Sequence, residues 1–176
     1  TRHKHIYSIW KRCVKDLAIL SAVIAVYIYI ATTIAGICIK RKIYNWEDEA
    51  STCYSAIHMP CEAAPSFALI SAVFILQAFA VIFVMGLIML AVWWITDKKW
   101  AGYLAAMVIV SVEYYDADGA ISTGLLWRKY VMTYSVYKKG ILLGKNILMP
   151  IAVCIAMLLV TSLIVRLKKK EFINSR

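Results

Sequence analysis

Charged residues are scarce in this sequence, and their scarcity excludes several common classes of protein. Only 17% of the 176 residues are charged, whereas 62% are hydrophobic, and the mean hydropathy is +0.72. A soluble domain usually has about a quarter of its residues charged, because polar side chains must cover its core. The chain has too little polar surface for a soluble enzyme, and too many large apolar residues for a disordered protein. We therefore expect it to be exposed to lipid.

A glycine-rich phosphate-binding loop is also missing. None of the 7 glycines belongs to a G-x-x-x-x-G-K-[S/T] pattern, whose backbone N–H groups would hold ATP phosphates. We therefore expect no ATP binding by this chain alone. Cations outnumber carboxylates by 20 to 10, but they lie in clusters between apolar stretches. That arrangement is typical of a membrane protein anchored in the lipid bilayer, and we expect no nucleic-acid partner.

Four apolar stretches predict the fold. They cover residues 17–39, 66–96, 100–115 and 147–165, and the second has Gln77 as its one amide. A span needs about 20 apolar residues, so the third stretch, with 13 before Glu113, is either extended by polar residues or forms half a span. The sequence predicts an all-α integral membrane protein. It forms one transmembrane domain, residues 1–176, with about four membrane-embedded helices.

The distribution of cations predicts the orientation in the membrane. With a basic segment at residues 1–16 and a basic tail at 166–176 both in the cytoplasm, twelve Lys and Arg residues lie inside and eight outside. The positive-inside rule favours this multi-pass arrangement, in a cell membrane of bacterial type. The chain begins at Thr1 without Met, so we expect the natural protein to have further residues before it.

Small residues four positions apart predict close helix packing, because they let helices approach one another in lipid. Four pairs have this spacing: Ala31 with Ala35, Thr32 with Gly36, Ala68 with Ala72, and Gly102 with Ala106.

The loop between the first two stretches carries Cys53, His58 and Cys61. Three alternatives stay open for it. A disulfide between Cys53 and Cys61 is expected if the loop is extracellular, and free thiols are the second alternative. Metal binding is the third, although three ligands at this spacing match no zinc pattern and we expect no metal site.

A cluster of acidic residues, Glu113, Asp116 and Asp118, follows the third apolar stretch. Carboxylates inside a membrane usually bind a cation or relay protons. The alternative is that the helix ends at Val112 and the three side chains lie among headgroups or in water. The sequence lacks the glycine and glutamate that would complete a calcium-binding loop.

Residues 119–146 mix aromatic and basic side chains, including Trp127, Arg128, Lys129 and Tyr130. This composition is typical of the membrane interface, where rings lie among headgroups and cations meet phosphates. The stretch is too polar to span. We therefore predict an interfacial or re-entrant helical hairpin before the last span.

The order of these segments resembles one family. Residues 1–17 resemble the cytoplasmic approach to a mid-chain span in permeases of type-2 ATP-binding-cassette transporters. The basic turn at residues 97–100, the element at 119–146 and the basic end at 166–172 resemble the C-terminal half of the same permeases. The chain aligns with roughly the last four of their six spans and lacks the first two.

This resemblance implies a membrane-spanning permease subunit of an ATP-driven exporter for a peptide or an amphipathic, lipid-like substrate. A separate ATPase subunit would hold ATP and Mg, a second permease copy would complete a dimer, and this chain would have no catalytic residue. The resemblance places Arg2, Lys4, Lys11 and Arg12 nearest to the ATPase. The alternative is a non-transporting scaffold or assembly factor, or a membrane enzyme that uses the acidic cluster.

Overall fold

The computed structural model describes residues 6–41, 66–115 and 143–174, and these residues form four helices and no strands. The helices are α1 (Ile6–Lys40), α2 (Phe67–Thr96), α3 (Lys99–Tyr115) and α4 (Leu143–Asn174). Three segments within α1, α2 and α4 are long and apolar enough to cross a membrane, and α3 is a shorter apolar helix. The prediction of an all-helical, membrane-embedded protein is confirmed at this level.

The ends of α2 match the predicted stretch because specific residues cap them. The hydroxyl of Ser66 accepts a hydrogen bond from the backbone N–H of Leu69 at 3.4 Å, which satisfies a free donor at the start of the helix. At the other end, Asp97 has left-handed backbone angles, with φ of 57°, and stops the helix.

The other two long helices extend beyond their apolar stretches. α1 begins at Ile6 rather than near residue 17, and α4 runs to Asn174, past the apolar stretch that ends at residue 165. A hydropathy pattern locates the part of a helix that contacts lipid, but it does not locate the ends of the helix. Lys and Arg are good helix formers, so a basic segment can continue a helix. Residues 6–16 and 166–174, predicted only as basic segments, therefore continue the helices.

α2 is the central helix of the bundle, because it contacts each of the other three. Eight of its residues are buried, and they recur every three or four positions along one face: Val73, Gln77, Ala80, Phe83, Val84, Leu87, Leu90 and Ala91. Nearly all the other residues of α2 are apolar too, which is expected of a helix that other helices and lipid surround.

Contacts along α2 fix the directions of its neighbours. Tyr29 donates to the hydroxyl of Ser71 at 2.7 Å near one end, and the Leu17 side chain covers Gly86 near the other, so α1 runs antiparallel to α2. Val165 and Leu90 share a cluster, and further along both helices the ammonium of Lys168 lies 2.7 Å from the carboxylate of Asp97, so α4 runs parallel to α2.

α2 and α3 form a tight helical hairpin around Gly102. This glycine is buried, and a Cβ atom placed on it would lie only 2.7 Å from the carbonyl oxygen of Met89. The predicted close approach at Gly102 is therefore confirmed. The other three small-residue pairs make no such approach within the described chain: most of their members are exposed, and Gly36 has open space around it.

Candidate functional site at the basic end of the bundle

The start of α1, the turn between α2 and α3, and the last turns of α4 meet at one end, which we call the basic end. A small hydrophobic cluster holds them together: Trp10, Leu90 and Val165 are its buried centre. Four partly buried residues pack against it, namely Ile6, Cys13, Val14 and Trp94. One residue from each long helix thus contributes to the same centre.

An ion pair at the surface of the basic end joins α4 to the turn between α2 and α3. Lys168 on α4 donates to Asp97 in the α2–α3 turn at 2.7 Å. The Asp97 side chain is 83% exposed, and a pair so open to water contributes little stability. The pair instead fixes the position of the C-terminal part of α4 relative to the turn.

Cations dominate the basic end. Among the side chains that the structure describes there, seven are cationic and two are acidic: Lys11, Arg12, Lys15, Lys98, Lys99, Arg166 and Lys168, against Asp16 and Asp97. Three of the lysines lie over aromatic rings, at 5.0 to 5.7 Å from the ring centres. Each of these ammonium groups is attracted to the face of its ring, and lysines beside aromatic rings are typical of a membrane interface.

The left-handed conformation of Asp97 gives a prediction about the turn. Asn tolerates this conformation at least as well as Asp, whereas Ala does not. Both Asp97→Asn and Asp97→Ala lose the ion pair with Lys168, so their difference isolates the backbone effect. We expect Asp97→Ala to be less stable than Asp97→Asn by about 1 kcal/mol. Unfolding of the two variants in mixed detergent micelles measures this difference, and equal stability would contradict the assigned turn.

The predicted ATPase-contact residues divide between described and undescribed parts of the chain. Lys11 and Arg12 lie in the first turns of α1 with exposed side chains, at the basic end. Lys11 is the cation over the Tyr7 ring. Arg2 and Lys4 lie outside the described residues.

Most of the other predicted site residues also lie outside the described ranges. These are Cys53, His58 and Cys61 of the first loop, Asp116 and Asp118 of the acidic cluster, and Trp127, Arg128, Lys129 and Tyr130 of the interfacial element. Glu113 belongs to the last turn of α3, so this helix does not end at Val112 as one alternative supposed.

A second polar feature lies inside the bundle, and sequence reasoning missed it. Among the residues that the structure describes, three polar side chains are buried, one on each long helix: Ser21 on α1, Gln77 on α2 and Thr161 on α4. The hydroxyls of Ser21 and Thr161 donate to carbonyl oxygens of their own helices. The amide of Gln77 is different, because neither its nitrogen nor its oxygen has a hydrogen-bond partner within the described chain. The signal was its position as the only amide in an uncharged stretch.

Comparisons with protein-family models, with curated proteins and with solved structures found no match.

Proposed function

We propose that the chain is the membrane subunit of an ATP-driven exporter and that its basic end receives a separate ATPase subunit. One observation carries the proposal: the basic end joins all three long helices, through the Trp10, Leu90 and Val165 cluster and the Asp97–Lys168 pair. A partner that pulls on this end moves every long helix at once. Coupling ATP hydrolysis to transport requires such a connection, because the ATPase acts outside the membrane.

The orientation follows from the charge of the basic end. Seven described cations at this end favour the cytoplasmic side, where the ATPase and its ATP and Mg are found. The opposite end then carries Arg41 and the start of α2, facing the exterior. In this topology, α1 leaves the cytoplasm, α2 returns to it, and α4 ends there.

α3 completes the proposed membrane domain as a fourth embedded helix. Its 17 residues measure about 26 Å, slightly less than the hydrocarbon thickness of about 30 Å. Gly102 holds it against α2, so its first turns follow α2 in any movement. We propose that the chain between α3 and α4 forms the interfacial or re-entrant element, and that a second copy of the chain completes the permease.

The proposed mechanism is a change of tilt. When the two ATPase subunits close on ATP, they draw the two basic ends together, and the joined helices tilt as rigid bodies between two access states. The substrate class is a peptide or an amphipathic, lipid-like molecule, which can enter from the bilayer without a wide aqueous channel.

Affinity purification tests the proposal. The tagged full-length protein is extracted in mild detergent from the membranes of its own organism, and co-purifying proteins are identified by mass spectrometry. We expect an ATPase with a glycine-rich phosphate-binding loop, and ATP hydrolysis in the purified fraction. The double variant Lys11→Glu, Arg12→Glu should recover less than a tenth of it. Recovery of the chain alone, or with partners that lack an ATPase, would contradict the proposal and favour a scaffold or membrane enzyme.

A further inference from the structure

The buried amide of Gln77 destabilises the bundle, because no hydrogen bond from the residues that the structure describes compensates for its removal from water. The side chain is 2% exposed, and both its nitrogen and its oxygen are enclosed without a partner in the described chain. A polar group without a hydrogen bond in an apolar interior destabilises the fold, and polar residues inside membrane helices commonly mark a functional site. A leucine or methionine at this position would avoid the cost.

The neighbours of Gln77 on α1 provide no partner for the amide. The pairs Tyr29–Ser71 and Leu17–Gly86 set the register of α1 against α2, and this register places Gln77 level with Ala25. Ala25 is fully buried and has no polar side-chain atom. Next to it on α2, one turn along, lies Ala80, which is also buried. Among the described side chains of α1 and α2 at this level, the amide of Gln77 is the one polar group.

At the level of Gln77, α4 contains a proline at which the helix can bend. The pairs Asp97–Lys168 and Leu90–Val165 set the register of the parallel helices α2 and α4, and together they place Gln77 level with residues 148–152, a range that includes Pro150. Pro150 is buried inside α4 and has no N–H, so the carbonyl oxygen of Asn146 lacks its usual donor. Helices bend most readily at such a residue. A bend at Pro150 separates α4 from α2 where the amide lies.

We infer that Gln77 is a substrate-binding residue and that it recognises an amide group. A primary amide presents one donor and one acceptor side by side, and the group that satisfies both at once is another amide. When α4 bends at Pro150, an amide-bearing molecule enters between α2 and α4 and pairs with Gln77. The freed carbonyl oxygen of Asn146 is an additional acceptor there. This inference rests on the proposed function, whose substrate class it narrows to molecules with an amide, either a peptide or an N-acyl lipid.

A stability comparison separates a binding role from a structural one. Gln77→Met keeps the length of the side chain and removes its polar atoms, so it should raise the apparent melting temperature of the purified protein by about 3–6 °C. Thr161→Val is the matched control, because it removes a buried hydroxyl that does have a partner, at 3.1 Å. The control should leave the melting temperature unchanged or lower it. An unchanged or lower value for Gln77→Met would mean that the amide is satisfied in the fold, and would overturn the inference.

Ligand binding by the same purified proteins completes the test. The probes are dodecanamide, the peptide acetyl-trileucine amide, and methyl dodecanoate as the control without a donor. We expect at least one amide probe to raise the melting temperature of the unsubstituted protein by 2 °C or more, but not that of Gln77→Met. Which probe acts distinguishes a lipid amide from a peptide. No shift with either amide, or an equal shift in Gln77→Met, overturns the inference. These measurements need no ATPase. This inference and the proposed function can therefore fail independently of each other.

Discussion

Replacing Gly102 by alanine should lower the free energy of unfolding by about 2–3 kcal/mol, one of the two largest effects that we expect in this protein. The new Cβ atom would lie 2.7 Å from the carbonyl oxygen of Met89 and 3.3 Å from its carbonyl carbon. These are backbone atoms of α2, which cannot move aside as a side chain does. The whole of α3 must therefore shift outward, and the packing of the hairpin is lost along its length. Unfolding in mixed detergent micelles measures the loss.

Two other glycines are matched controls for this substitution. Gly36 on α1 has no atom within 4 Å of an added Cβ, so Gly36→Ala should be neutral or stabilise by up to about 1 kcal/mol through better helix propensity. The atoms nearest to a Cβ at Gly86 belong to the flexible side chain of Leu17, so Gly86→Ala should fall between the two. A ranking in which Gly36→Ala is as harmful as Gly102→Ala would contradict the described packing.

Leu87→Ala should cost about 2 kcal/mol of unfolding free energy. Leu87 lies on the central helix and is fully buried. In a membrane the separated helices remain in lipid, which is as apolar as leucine, so the transfer part of the usual cost is small. The cavity part remains, because lipid cannot reach the space left by the side chain.

Leu104→Ala on α3 is the control for this cavity. The side chain of Leu104 is 50% exposed, so a lipid chain can fill the space that its removal leaves. We expect a change of less than about 0.5 kcal/mol. The same detergent unfolding assay measures both variants. Equal losses for Leu87→Ala and Leu104→Ala would mean that α2 is not the enclosed helix of the bundle.

Much of the fold could be predicted from the sequence, because lipid exposure leaves a strong pattern. The uncharged stretch at residues 66–96 predicts α2 to within one residue, since Ser66 and Asp97 supply its cap and stop. The start of α1 could not be predicted in the same way. Residues 6–16 are polar on average, yet their backbone continues the helix.

Packing partners were harder to predict than helices. Spacing identified Gly102 as a residue that permits close approach, but it identified the pair Thr32 and Gly36 equally well, and Gly36 faces open space. Spacing shows that small residues share one face of a helix. It does not show which other helix packs against that face. Gln77 could be noticed in the sequence because it is the one amide in the uncharged stretch at residues 66–96. Its burial without a partner depends on three helices at once, which no local pattern reports.

Site-specific photo-crosslinking in native membranes is the measurement that tests the central proposal most directly. A photoreactive amino acid is placed either at Lys11, exposed at the basic end, or at Arg41, exposed at the opposite end of α1. The proposal predicts that the Lys11 probe forms an adduct with a P-loop ATPase subunit, whereas the Arg41 probe forms none. An absence of ATPase adducts from Lys11, or an equal yield from both positions, would contradict it.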